Sequence, residues 1–163
     1  MDEEKKRPKK IYDKKSAKLK IEQYCAYQER SQQEVRDKLY DMGLHQKEVE
    51  ELISDLITDN FLNEERFSIT YARGKFRMKH WGKIKIKQQL KLKKVSDYCI
   101  KKALSLLPEK EYIETIQKII EKKSRELKEK DPYILKNKIA RHLASKGFEQ
   151  DIVWDLIKEL ENK

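Results

Sequence analysis

The chain has 163 residues and a formal net charge of +10, with 42% charged and 37% apolar residues. That balance leaves only a thin core, no apolar run long enough to span a membrane, and no apolar segment in MDEEKKRPKK to act as a secretory signal. A cytoplasmic protein is expected, with Cys25 and Cys99, which form no CxxC pair, as reduced and partly buried thiols.

Residues 1–15 read as a mobile, charged arm. A helix is expected over Ser16–Gln28, with Leu19, Ile21, Tyr24, Cys25 and Tyr27 supplying apolar contacts. Ser31 and Glu34 then stand at capping-box spacing, and Gly43 sits where a helix needs a left-handed residue to stop. Asn63 is the expected N-cap of a further helix, with Glu64 and Glu65 in its first turn and Phe67, Tyr71, Gly74 and Met78 along it.

The next stretch, WGKIKIKQQLKLKK, begins like a half-buried strand, but the alternation breaks at Gln88-Gln89 while Ile86 and Leu90 keep helical spacing. A helix is therefore expected from about Gly82, with Ser96 capping the one that follows. After Pro108 comes a helix carrying Tyr112, Ile113, Ile116, Ile119 and Ile120. Asp131-Pro132 reads as N-cap and first-turn proline, and Gly147 as another stop.

A repeat runs through these elements. Offsets of 51 and 53 residues align Val35 with Ile86 and Ile139, Leu39 with Leu90 and Leu143, and Leu44 with Val95 and Phe148. They also align Val49, Ile100 and Val153; Leu52, Ala103 and Leu156; Ile53, Leu104 and Ile157; and Leu56, Leu107 and Leu160. The spacing describes helix, turn, helix, each pair preceded by a third helix. The expected fold is all-α: three tandem three-helix units over 16–61, 62–107 and 108–163, sharing contacts in an elongated, curved helical repeat. Lys94 occupies the glycine column of the middle copy, so its cap is expected to differ.

Charge is distributed unevenly. Residues 71–94 hold ten basic groups and no acid, whereas residues 21–70 have a net charge of −7. On a helix from Gly82, Lys83, Lys87, Lys91 and Lys94 fall on one face, and the preceding helix adds the i, i+4 pairs Arg73/Arg77 and Lys75/Lys79. Like charges at that spacing destabilise a helix, so their repetition points to an anionic partner, and a polyphosphate backbone suits it. Tyr71, Phe76, His80 and Trp81 are interleaved with these cations. Tyr71 and Met78 are expected in the core, whereas Trp81 is open between core packing and stacking on a base.

Other chemistry is weakly represented. His45, His80 and His142 have no ligand spacing, Gly74-Lys75 and Gly82-Lys83 lack the rest of a phosphate loop, and no nucleophile–base grouping is visible. No metal, cofactor or catalysis is expected.

The residues so assembled resemble the RecX family of bacterial recombinase regulators. ERSQQEVRDKLYDMG presents Arg30, Ser31, Glu34, Val35, Lys38, Leu39 and Gly43 in that family's order, and DNFLNEERF is similar to its entry into the second unit at Leu62, Glu64, Glu65, Arg66 and Phe67. Departures are Gln89, where the family commonly has an acid, and Lys94, where it has glycine. The resemblance implies a non-enzymatic, monomeric modulator of RecA that associates with the RecA–single-stranded DNA filament and lowers its assembly, ATP hydrolysis, strand exchange and coprotease activity. Double-stranded DNA is a further expected partner, and a membrane is not. The expected contact residues are Arg73, Lys75, Arg77, Lys79, Trp81, Lys83, Lys87, Lys91 and Lys94. The alternative from the residues alone is a stand-alone helical-repeat DNA- or RNA-binding protein.

Overall fold

A computed structural model describes residues 11–162. The described residues form nine α-helices and no strand: α1 (Lys14–Tyr27), α2 (Gln32–Asp41), α3 (Gln46–Thr58), α4 (Glu64–Lys79), α5 (Lys83–Leu92), α6 (Asp97–Ser105), α7 (Glu109–Glu126), α8 (Pro132–Ser145) and α9 (Gln150–Glu161). None is long and apolar enough to cross a membrane. Residues 1–10 of the expected arm lie outside the described residues. The rest of that arm is ordered into the fold: the Tyr12 backbone N–H donates to the Met42 carbonyl at 2.9 Å, and Lys14 opens α1 and pairs with Glu51 at 2.5 Å.

The helix boundaries follow local chemistry. Ser31 and Glu34 form a complete capping box at the start of α2. Asn63 Oδ1 accepts from the Arg66 N–H at 2.9 Å, Ser96 accepts from Cys99, and Asp131 caps α8 ahead of Pro132. Gly43 and Gly147 are left-handed, with φ of 86° and 88°. Lys94 was expected to cap differently. Instead it takes the same left-handed conformation, with φ of 58°, despite its Cβ. An L-residue there costs about 1–2 kcal/mol, part of which glycine would give back as unfolded-chain entropy. Lys94→Gly is therefore expected to stabilise the chain by about 0.5–1 kcal/mol, seen as a higher urea midpoint at unchanged slope; a lower midpoint would contradict the reading.

The repeat columns form the core. All their members are buried except Leu104 and Leu160, which are half-buried. Two expectations about core faces fail. In α1 the inward positions are Ala17, Ile21 and Cys25, spaced by four, so Leu19 and Tyr27 point outward. In α4 Ala72 and Phe76 face inward, which leaves Met78, about 200° further round the helix, 81% exposed. Both cysteines are free and buried, and burial pushes the Cys25 thiol up to about 11.

The chain divides into two compact units. One runs to Phe67 and takes in Lys93–Val95; the other comprises Ser68–Leu92 and Ser96–Lys163. In the first, α1, α2 and α3 enclose a cluster including Ile21, Val35, Leu39, Leu52 and Leu56. Arg30 lies over the Tyr24 ring at 3.8 Å, and Lys93 pairs with Glu34 of the capping box at 2.6 Å.

In the second unit, most of the middle three-helix group and the third share one core. Tyr112 of α7 is its centre, with its ring 5.5 Å from Phe76 of α4 and 5.5 Å from Phe148 after α8. Small helical groups bury little area alone, and the shared aromatic contact adds to it.

Candidate nucleic-acid interface

The site is built around the α4–α5 junction of the second unit. The inward turn of Ala72 and Phe76 leaves Arg73, Arg77 and Lys79 exposed and Lys75 half-exposed on the same helix. His80 ends α4 in the left-handed conformation, with φ of 54°, and redirects the chain so that Trp81 returns its N–H to the Lys75 carbonyl at 3.2 Å. The indole, half-exposed, has two ammonium groups close to its ring, Lys75 Nζ at 5.1 Å and Lys85 Nζ at 4.8 Å from the centroid. Trp81 is thus neither core nor a free aromatic. The two cations hold its ring, and its remaining exposed surface lies among positive charge.

The amino end of α5 is closed by protein. Gly82 N–H donates to Lys146 O at 2.8 Å, Lys83 N–H to the Tyr112 hydroxyl at 3.0 Å, and Ile84 N–H to Gly147 O at 3.0 Å. These neutral acceptors satisfy orphan donors of the first turn, which explains why α5 needs no acidic residue there. The same donors are consequently unavailable to phosphate. The cationic side chains around this end remain for an anion.

Those side chains are mostly free of carboxylates. Among the described residues no acid lies within ion-pair distance of Arg73, Lys75, Lys79, Lys83, Lys85, Lys87 or Lys91. Lys87 and Lys91 are exposed on α5, whereas Lys83 holds its ammonium 5.0 Å over the Tyr112 ring. Arg77 is different: it meets both carboxylate oxygens of Glu111 at 3.2 and 3.3 Å, so one expected cation is locally compensated. Lys94 also leaves the expected face. It follows the end of α5 at Leu92 and belongs to the first unit, so the helical stripe ends at Lys91.

Two cations that the sequence reading did not single out join this region. Lys85 reaches Trp81, and Lys146, from the end of α8, donates from Nζ to the Lys79 carbonyl at 2.8 Å. Partial burial and then the positive charges of Lys85 and Lys79 pull the Lys146 pKa down from its ordinary value. Lys79, Lys85 and Lys146 therefore form a knot of like charge. The acid-free run was the available signal for Lys85; nothing in the local sequence around Lys146 links it to α4.

Three family models match the chain in succession: the RecX first three-helix domain over residues 17–56, the second over 63–104 and the third over 109–157. The chain belongs to the RecX family. Regulatory protein RecX of Bacillus cereus strain B4264 is 28% identical over 140 residues, and that of Bacillus thuringiensis strain Al Hakam 29%, each match covering 86% of this chain. The chain spans about half the length of these curated relatives, 52% in both cases.

A crystal structure of RecX from Lactobacillus salivarius matches with a TM-score of 0.85 and 28% identity, covering 92% of this chain and 97% of that one. A second RecX crystal structure, at 21% identity and a TM-score of 0.80, covers 90% and 71% and shares the fold. In this chain the α4–α5 cations fall in the second family domain, whereas Tyr112, Lys146 and Gly147 belong to the third.

Proposed function

We propose that this chain is a non-catalytic regulator of the RecA recombinase, acting on the RecA–single-stranded DNA filament and lowering its assembly, ATP hydrolysis, strand exchange and coprotease activity. Family membership supports the regulatory role. The observation that carries the contact with DNA is the α4–α5 junction, where Trp81 sits among lysines that have no carboxylate partner. Lys75, Lys79, Lys85, Lys87 and Lys91 meet phosphates, whose neutralisation releases counterions, and Trp81 offers its free surface to an unpaired base. The first unit includes most of the acidic segment 21–70, whose charge suits basic protein surface rather than phosphate. The chain acts in the cytoplasm as a monomer.

Reversing Lys75, Lys87 and Lys91 to Glu tests this. Affinity for a single-stranded oligonucleotide is expected to fall at least tenfold at 0.1 M salt, and the log–log salt slope to weaken by about 2, at roughly 0.7 per lost phosphate contact. Native protein, at far less than one copy per RecA, is expected to lower DNA-dependent ATP hydrolysis, and the triple variant to lose that effect. Native DNA binding with no effect on RecA through a full titration would favour the stand-alone nucleic-acid binder. Unchanged affinity and slope in the variant would remove the α4–α5 surface from the interface.

A further inference from the structure

We infer that the cleft between α4, α7 and the end of α8 is a second phosphate-binding site, taking the backbone of the same single strand beyond the α4–α5 junction. The inference rests on the DNA-binding reading above and extends it onto the third three-helix domain. The cleft lies wholly within the second unit and encloses about 600 Å³. Its α7 wall changes character along the helix. Glu111 and Glu114 stand at the amino-terminal part, whereas Lys118, Lys122 and Lys123 follow at the carboxy-terminal part. Glu111 is engaged by Arg77, so the acidic end is partly neutralised.

At the basic end, Lys122 and Lys123 approach the single carboxylate of Glu126, at 3.8 and 3.4 Å, and Lys118 has no acid within ion-pair distance among the described residues. Positive charge is left over. His142 and Lys146 of α8 complete this end, and Lys146 also touches Lys79. One ammonium therefore joins the cleft to the Lys79–Lys85–Trp81 cluster, so a phosphate chain leaving that cluster meets positive charge without interruption.

One further feature fits an anion here. His142 faces Lys123 and Glu126 of α7 and Lys146 of α8. Burial, then Lys123 and Lys146, holds its pKa below the ordinary value. A bound phosphate would offset those lysines and favour the imidazolium, so binding should take up a proton.

The test uses the full chain and a fluorescent single-stranded oligonucleotide long enough to cross both sites. Lys118→Glu with Lys122→Glu changes two exposed side chains and removes one surface ion pair, Lys122–Glu126, of small worth to stability. Affinity is expected to fall about tenfold and the salt slope to weaken by about 1.4, the value for two phosphates. Native binding is expected to tighten from pH 7.5 to 6, and His142→Gln to flatten that gain. Native affinity and slope retained in the double variant, with the α4–α5 reversal still damaging, would overturn this inference alone. Failure of the native chain to bind the oligonucleotide would overturn both. Histidine resonances moved by tripolyphosphate, with oligonucleotide binding untouched by the double variant, would likewise overturn it, in favour of a small-anion site.

Discussion

Gly147→Ala is expected to destabilise the chain by about 3 kcal/mol or more, although it adds a single methyl group. Gly147 has a φ of 88°, where an L-residue is strained by about 1–2 kcal/mol. The larger problem is space. A Cβ there would stand 2.3 Å from Lys85 Cβ and 2.5 Å from Lys85 N, and the backbone of α5 has no flexible end to yield. Helix α5 would have to withdraw from the α8–α9 turn, breaking the bonds from Gly82 to Lys146 O and from Ile84 to Gly147 O, each worth about 1 kcal/mol net. Gly82 is constrained from the other side, since its Cβ would lie 2.3 Å from Gly147 O.

Gly74→Ala is the control. Gly74 lies in α4 with nothing within 4 Å of an added Cβ, so alanine should stabilise by about 0.5–1 kcal/mol. Urea unfolding of both variants is decisive: a Gly147→Ala midpoint close to native would mean that the two glycines do not hold the second and third helical groups together.

Tyr112→Phe should cost about 2–3 kcal/mol although it removes one oxygen atom. That hydroxyl accepts from Lys83 N–H at 3.0 Å and donates to the Glu149 carboxylate. Phenylalanine keeps the ring between Phe76 and Phe148 but leaves a backbone donor and a half-buried carboxylate without their partner.

The substitution also has a pH signature. Burial, then the bond to Glu149, raises the phenol well above its ordinary value of 10.0. Its folded pKa therefore exceeds its unfolded one, so its contribution is fully present below about pH 10 and declines at higher pH as the unfolded chain ionises. Native protein should lose stability from about pH 10 upward more steeply than Tyr112→Phe. Parallel curves would mean that the hydroxyl is not buried as described.

Much of this architecture is legible locally. The apolar columns, the Ser31–Glu34 box, Asn63, Ser96 and Asp131-Pro132 act through contacts a few residues apart, and the structure uses each of them as its chemistry requires. Helical period alone was less informative about which face turns inward. Leu19, Tyr27 and Met78 are apolar and regularly spaced, yet the rows through Ala17 and Phe76 fit the neighbouring helices better. Lys94 shows the opposite case, in which a turn is set by the packing of its flanking helices and imposed on a residue that does not favour it.

By itself, then, the sequence determined the helices of the described residues, their three-fold repetition and the concentration of basic residues over 71–94, because periodicity, capping and charge density are properties of neighbouring residues. Only the tertiary structure decided which cations lie together. It neutralised Arg77 with Glu111, placed Lys85 and Lys75 on Trp81, and brought Lys146 to Lys79. It also turned the inviting amino end of α5 into a joint with the α8–α9 turn. Those outcomes depend on a close approach between distant segments, which two glycines and one tyrosine hydroxyl permit and no local pattern encodes.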